Sequence, residues 1–286
     1  MIEKNKTYVV TGGYGFLGSH LIDDIILKGG RVATIGRNWV ELGKLQAKYG
    51  NSFSYLVGDI KDIELVRSLI TNKVTGVFHL AAYKYVGEAE NNVLECINSN
   101  VIGTMNILEV SAESKVQFVI GITGAAAVQV SGTYGATKML NEKLFFEYQR
   151  LHRDIRFRVL RYGNILYSTG SVLCKWKKSI LNNETITITD GDATRFFLTI
   201  TEAVQLIYDS LNSPIDFAPY IPKLKSITIN GLLMAMINKY RSNGKDIKVN
   251  IIGIENGNNK HEKIEENGLS SAESEHFTYE EIFKLI

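Results

Sequence analysis

The chain has 286 residues, 45% of them hydrophobic and 22% charged, a balance that builds a sizeable core and excludes a disordered or low-complexity polypeptide. Its length suits two domains or one large α/β unit, and 32 Lys and Arg against 30 Asp and Glu leave a formal charge of +2, too even for electrostatic capture of nucleic acid or an anionic membrane. Only Cys96 and Cys174 occur, which argues against a disulfide scaffold or cysteine zinc site and suits a reducing compartment, so a cytoplasmic location is expected. No apolar run approaches the roughly 18 to 20 residues of a membrane-spanning helix, and no signal-peptide core stands near Met1, so neither membrane insertion nor export is expected.

In chain order, β-branched runs alternate with stretches whose apolar residues recur every three to four positions. Strands are predicted at 7–11, 31–35, 53–57, 76–80, 115–122 and 157–160, and helices near 16–28, 39–49, 63–71, 93–114 and 134–152. This alternation predicts an α/β fold, a Rossmann-type doubly wound parallel sheet with crossover helices. After residue 160 the alternation fades, and Pro214, Pro219 and Pro222 all lie in the last third. The expected organisation is a larger domain over 1–162 and a smaller C-terminal lobe over 163–286, made discontinuous by a helix near 202–212 that returns to the first domain.

The first predicted strand runs into Thr11-Gly12-Gly13-Tyr14-Gly15-Phe16-Leu17-Gly18 at the start of an amphipathic helix. Glycines here permit a tight turn and close backbone approach, while the helix N-terminus offers N–H groups and a positive dipole to a pyrophosphate. A dinucleotide over 1–162 is the expected ligand, although an ordinary strand-to-helix turn produces the same triplet. Arg37, at the end of the second strand, stands where a ribose 2′-hydroxyl would meet a carboxylate and a 2′-phosphate would meet a cation, so NADP(H) is preferred, with NAD(H) as the alternative. Asp59 and Ile60, after the third strand, are placed to meet the adenine, unless Asp59 only caps a helix. Tyr134 and Lys138 stack one helical turn apart, and an ammonium beside a phenol lowers its pKa towards use as an acid or base.

With these residues on the page, the chain resembles the extended short-chain dehydrogenases/reductases, and within them the nucleotide-sugar branch that includes the inverting UDP-N-acetylglucosamine 4,6-dehydratases. The resemblance runs through residues 77–84, 100–104, 161–164, 170–172, 187–189 and 194–197, and the tail, Glu262, Lys263 and Glu266, echoes that branch's closing motif. It implies that Ala81, Ala82, Tyr134 and Lys138 meet the nicotinamide, that Asn100 supports the active-site helix, and that Lys84, Asn164 and Arg195 face a UDP-sugar held by the smaller lobe. It also implies a homodimer or higher homo-oligomer through the 93–114 and 134–152 helices.

One departure changes the chemistry expected. The dehydratases carry a Thr-Asp-Lys run ending eight residues before the catalytic tyrosine; counting back from Tyr134 lands on Gly124, Ala125 and Ala126. Without that acid and base, elimination of water loses about 10²–10⁴-fold per group. Hydride transfer at C4 needs only the nicotinamide, a proton donor and placement. The expected activity is therefore reduction of a UDP-4-keto-6-deoxy-N-acetylhexosamine to a UDP-6-deoxy sugar of the N-acetylquinovosamine type, for polysaccharide biosynthesis, with Tyr134 as proton donor and Thr123 or Ser131 polarising the ketone. The alternatives are a dehydratase with Glu88 or Lys84 as substitute groups, and a non-catalytic sensor of the same ligands. Tyr85, Gly87, Thr169 and His261 also depart from the branch's usual residues. His261 reads as a surface residue rather than a metal ligand, and His20, His79 and His152 read as packing.

Overall fold

The computed structural model of the protein describes residues 2–241, 246–254 and 258–286. Its centre is a parallel sheet of β1 (Thr7–Thr11), β2 (Arg31–Gly36), β3 (Phe53–Val57), β4 (Val74–His79), β5 (Phe118–Gly124) and β6 (Arg156–Tyr162), in the order β3-β2-β1-β4-β5-β6. The crossovers carry α1 (Phe16–Leu27), α2 (Trp39–Tyr49), α3 (Ile63–Leu69), α4 (Val86–Ala89), α5 (Val93–Ile97), α6 (Gly103–Glu113) and α7 (Thr133–Leu151). Strand β4 is buried at every position, as expected of a parallel strand whose sheet is covered by helices on both faces. One core packs Val9, Ile35, Val77, Ile107 and Val119 beneath α3, α6 and α7; the other packs Tyr8, Val10, Leu21, Phe78 and Ile120. The fold is the Rossmann-type sheet expected.

Several element ends shift by up to three residues from those expected, and two differences have a clear structural cause. The fifth strand starts at Phe118 rather than 115, because Lys115 takes a left-handed turn conformation (φ 52°) before the chain enters the sheet. The helix predicted at 93–114 contains a π-helical turn, Asn98–Ile102, between α5 and α6.

Beyond β6 come β7 (Asn164–Ile165), α8 (Val172–Leu181), β8 (Ile186–Ile188), β9 (Thr194–Leu198), α9 (Ile200–Asn212), β10 (Ser226–Thr228), α10 (Ile229–Tyr240), β11 (Val249–Ile251) and α11 (Tyr279–Leu285). These strands form sheets of three, β10-β9-β7, and two, β11-β8. Leu173, Trp176, Phe197, Leu232 and Met236 close a separate core. Helix α9 packs instead with the first unit: Ala203, Ile207 and Tyr208 join the Tyr8–Leu21 core, and the Tyr208 hydroxyl donates to Asp24 at 2.5 Å. A capping box, Thr199 with Glu202, starts that helix.

Candidate active site

The sheet order reverses between β1 and β4, and a doubly wound sheet opens a crevice at the carboxyl ends of its strands there. A cleft of about 830 Å³ occupies that position, between the sheet and the smaller unit. It brings together Gly12, Tyr14, Gly15, Phe16, Leu17, Gly18, Arg37, Asp59 and Ile60 at one end. Ala81, Ala82, Thr123, Tyr134, Lys138, Lys84, Asn164 and Arg195 line the same cleft. Asn100 is wholly buried beside it.

The glycine turn is built for close approach. Gly12 has φ +68°, and a Cβ there would lie 2.9 Å from the Ala81 nitrogen; a Cβ on Gly18 would strike the Gly12 carbonyl. No side chain caps α1, so its first N–H groups remain for a ligand. Thr11 Oγ1 accepts from the Leu80 and Ala81 amides at 3.1 and 3.0 Å and pairs with His79 Nδ1 at 2.8 Å, which sets the path of the Ala81-Ala82 segment. Having accepted twice, Thr11 donates its own proton to Nδ1, so the imidazole is the neutral Nε2–H form, with Nε2 facing Thr104 at 3.0 Å. Burial pushes the His79 pKa down to about 3. At the far end the Arg37 guanidinium lies 2.7 Å from Glu95 and 3.6 Å from Asp59, while Asp59 accepts from the Lys61 amide at 3.1 Å. In the cleft lining, Asn141 Oδ1 is buried with no hydrogen-bond partner among the described residues. A glycine cradle without Cβ atoms, uncapped helix amides and an orphaned acceptor fit a bound dinucleotide.

Tyr134 and Lys138 extend from the first turns of α7, the lysine Nζ 5.7 Å from the tyrosine ring centroid and donating to the Ile122 carbonyl at 3.3 Å. Asn100, in the π-helical turn, accepts from the Tyr83 amide at 2.7 Å and donates to the Tyr83 carbonyl at 3.1 Å and to Thr137 Oγ1 at 3.0 Å. It therefore ties the loop after β4 to the helix carrying the Tyr–Lys pair; π-turns of this kind concentrate at functional sites. The expected lowering of the tyrosine pKa is reversed here. Burial pushes Tyr134 up to about 12 and Lys138 down to about 8, because both groups leave water.

The role expected of Thr123 needs correction. Its hydroxyl donates to Glu142 at 2.5 Å, so its proton is committed and the oxygen can only accept from the cleft side, whereas polarising a ketone requires donation. Ser131 is exposed and outside the cleft lining. Gly124 ends β5, and Ala125 and Ala126 open a 3₁₀ turn (Ala125–Ala127); all three line the cleft. Lys84 Nζ donates to the Thr169 carbonyl at 2.9 Å, and Glu88 lies outside the cleft lining.

At the smaller unit's side, Arg195 Nη1 donates to the carbonyls of Thr194 and Lys260 at 2.8 and 2.9 Å, and its Nε lies 3.5 Å from Glu262. Asn164 Nδ2 donates to the Phe196 carbonyl at 3.1 Å and to Glu262 at 3.3 Å. Burial raises the Glu262 pKa. His261 is tied down rather than free on the surface, its Nδ1 2.8 Å from Thr194 Oγ1. His20 packs on Phe16 and His152 on Tyr148.

Several residues of the site escape sequence reasoning: Asn141, Tyr162 and Glu262 in the cleft lining, the last as a contact of Asn164 and Arg195, and Glu95, which pairs with Arg37 from outside that lining. The tail motif placed Glu262 in the right segment without a role. Glu142 carries a signal of its own, since it follows Tyr134 and Lys138 at the same four-residue step.

A family model described as "Polysaccharide biosynthesis protein" matches residues 8–284. The chain is 31% identical over 281 residues to a UDP-N-acetylglucosamine 4,6-dehydratase (inverting) of Campylobacter jejuni, covering 96% of this chain and 80% of that protein. It is 28% identical over 268 residues to a UDP-glucose 4-epimerase of Rickettsia bellii, covering 91% and 77%. Among solved structures it superimposes on Pen from Bacillus thuringiensis with a TM-score of 0.87 and 28% identity, covering 92% of this chain and 84% of that one.

Proposed function

Since the chain belongs to the polysaccharide biosynthesis protein family, of the extended short-chain dehydrogenase/reductase enzymes, we propose that it is an NADP(H)-dependent reductase of a UDP-4-keto-6-deoxy-N-acetylhexosamine, making a UDP-6-deoxy sugar of the N-acetylquinovosamine type. The observation that carries this reading is the cleft wall at Gly124, Ala125 and Ala126. It offers methyl groups and a bare Cα where elimination of water requires an acid and a base.

When bound, the nicotinamide cofactor supplies the hydride. Tyr134, held protonated by burial, is in the state required to give a proton to the C4 oxygen as that oxygen gains charge. Lys138, at about 8, is mostly charged near neutrality and stabilises the tyrosinate left behind. Arg37 is the cation for a 2′-phosphate, reached by exchanging its present carboxylate partners. Arg195 and Lys84 provide charge for the diphosphate, and Asn164 an amide for the sugar nucleotide.

A second reading is favoured by the same wall and by the likeness to a protein named UDP-glucose 4-epimerase: epimerisation also confines chemistry to C4 and dispenses with the missing acid and base. Substitute dehydratase groups find less support, since Lys84 is engaged by Thr169 and Glu88 lies outside the cleft. We also place a homo-oligomeric contact on the outer face of α5 to α7, where Leu94, Met105 and Leu140 are exposed.

NADPH absorbance at 340 nm, followed with purified protein and separately prepared UDP-4-keto-6-deoxy-N-acetylglucosamine, decides between these. Stoichiometric loss with the ketosugar and none with UDP-N-acetylglucosamine is the expected result. A C4 epimer formed without net NADPH loss supports the epimerase, a keto product from UDP-N-acetylglucosamine supports the dehydratase, and binding without turnover supports a sensor.

A further inference from the structure

The catalytic helix carries a third polar residue on the face of Tyr134 and Lys138. Positions 134, 138 and 142 lie at i, i+4 and i+8 on α7, one above another. Glu142 is only 4% exposed, and its hydrogen-bond partners Thr123 and Arg161 lie on the sheet. Its Oε1 accepts from Thr123 Oγ1 at 2.5 Å and from Arg161 Nε at 2.9 Å, and its Oε2 accepts from Arg161 Nη2 at 2.5 Å. Thr123 and Arg161 are direct cross-strand partners on β5 and β6. One carboxylate therefore clamps the catalytic face of the helix to two adjacent strands at the level of the cleft. Arg161, 1% exposed, continues outward through Nη1 to the Ile264 carbonyl at 2.8 Å and through both Nη atoms to Glu266 at 3.2 Å. That segment also presents Glu262 to the cleft.

A buried ion pair is a weak source of stability, because desolvation offsets its attraction, and apolar side chains of similar volume would serve a purely structural contact as well. What the clamp does that apolar packing cannot is fix a hydroxyl's orientation and place a negative charge one turn from the active-site ammonium. We propose that Glu142 is a positioning residue of the reduction site, acting through Thr123 and Lys138 rather than on the substrate. This rests on the cofactor and reductase reading above. With its proton committed to Glu142, Thr123 presents a fixed acceptor to the cleft. Glu142, counted with Arg161 and Glu266, leaves one net negative charge near Lys138, opposing the loss of its proton through burial. The other groups facing that ammonium are the Tyr134 ring on its own helix, the Ile122 carbonyl on β5, Cys96 on α5 and neutral His79 on β4.

Glu142→Gln tests this, since Arg161 keeps Glu266 and the Ile264 carbonyl. NADPH binding, read by nicotinamide fluorescence across pH, weakens in the wild type as Lys138 loses its proton; in E142Q that weakening is expected about one pH unit lower, with affinity below both transitions unchanged. Glu142→Asp, which keeps the charge but withdraws it from Thr123, is expected to retain the wild-type pH curve and lower kcat about tenfold at constant KM. A folded E142Q whose pH curve superimposes on the wild type overturns the proposal. If E142Q does not fold, an E142D with unchanged kcat overturns it. No fluorescence response in the wild type is the separate failure of the cofactor reading.

Discussion

At the scale of single residues, charges meet partners from distant parts of the chain, and those partners set their chemistry. Arg37, exposed after β2, is held by Glu95 from α5 and faces Asp59, so a 2′-phosphate reaching it would compete with carboxylates already in place. Arg37→Ala is expected to raise the KM for NADPH about 10- to 100-fold while leaving NADH nearly unchanged, the size of a charge-assisted hydrogen bond. Glu95→Gln is expected to shift the same ratio the other way by releasing the guanidinium. Steady-state kinetics with both cofactors check the pair, and equal effects on NADH and NADPH would remove Arg37 from the 2′-phosphate role.

At the scale of elements, the π-helical turn Asn98–Ile102 joins the loop after β4 to the helix carrying the Tyr134–Lys138 pair. An extra residue in that turn brings Asn100 to Tyr83 on one side and Thr137 on the other. Asn100→Ala leaves a backbone amide, a carbonyl and a hydroxyl short of partners, a loss of about 1–3 kcal/mol. Because Thr137 lies between Tyr134 and Lys138, kcat is expected to fall about 10- to 100-fold. Chemical denaturation and turnover, measured together, separate the two effects. Apolar periodicity marked this stretch as one helix but carries no sign of the extra residue, which only the Asn100 contacts explain.

At the scale of the whole molecule, the core around Leu173, Trp176 and Leu232 is separate from the two cores against the sheet, and α9 packs into one of the latter. Buried His79 ties β1 to β4 and α6 in its neutral form. Its folded pKa, near 3, is below the unfolded value of about 6.5, so the unfolded state binds more protons between these values and stability falls as pH drops through that window. From pH 7 to pH 5 the loss is about 2 kcal/mol. His79→Gln is expected to be less stable at neutral pH yet to lose less on acidification, read as a shallower fall in Tm; an equally steep fall would assign the acid sensitivity to other groups.

Within a single element, short-range periodicity and spacing suffice. The six core strands, the glycine turn and the Tyr134–Lys138 pair were legible because short β-branched runs alternate with helical periodicity and helical geometry places i and i+4 together. The short strands of the smaller unit, two to five residues each, are too brief to show a period. Pairings such as Arg161 with Glu142 and Glu266, or Asn164 with Glu262, join residues 19 to 105 positions apart, a separation no local pattern encodes. Tertiary burial also reversed the expected direction of the Tyr134 pKa and turned the Thr123 proton away from the cleft. Both follow from desolvation and partner choice, which exist only once the sheet, α7 and the C-terminal segment are packed together.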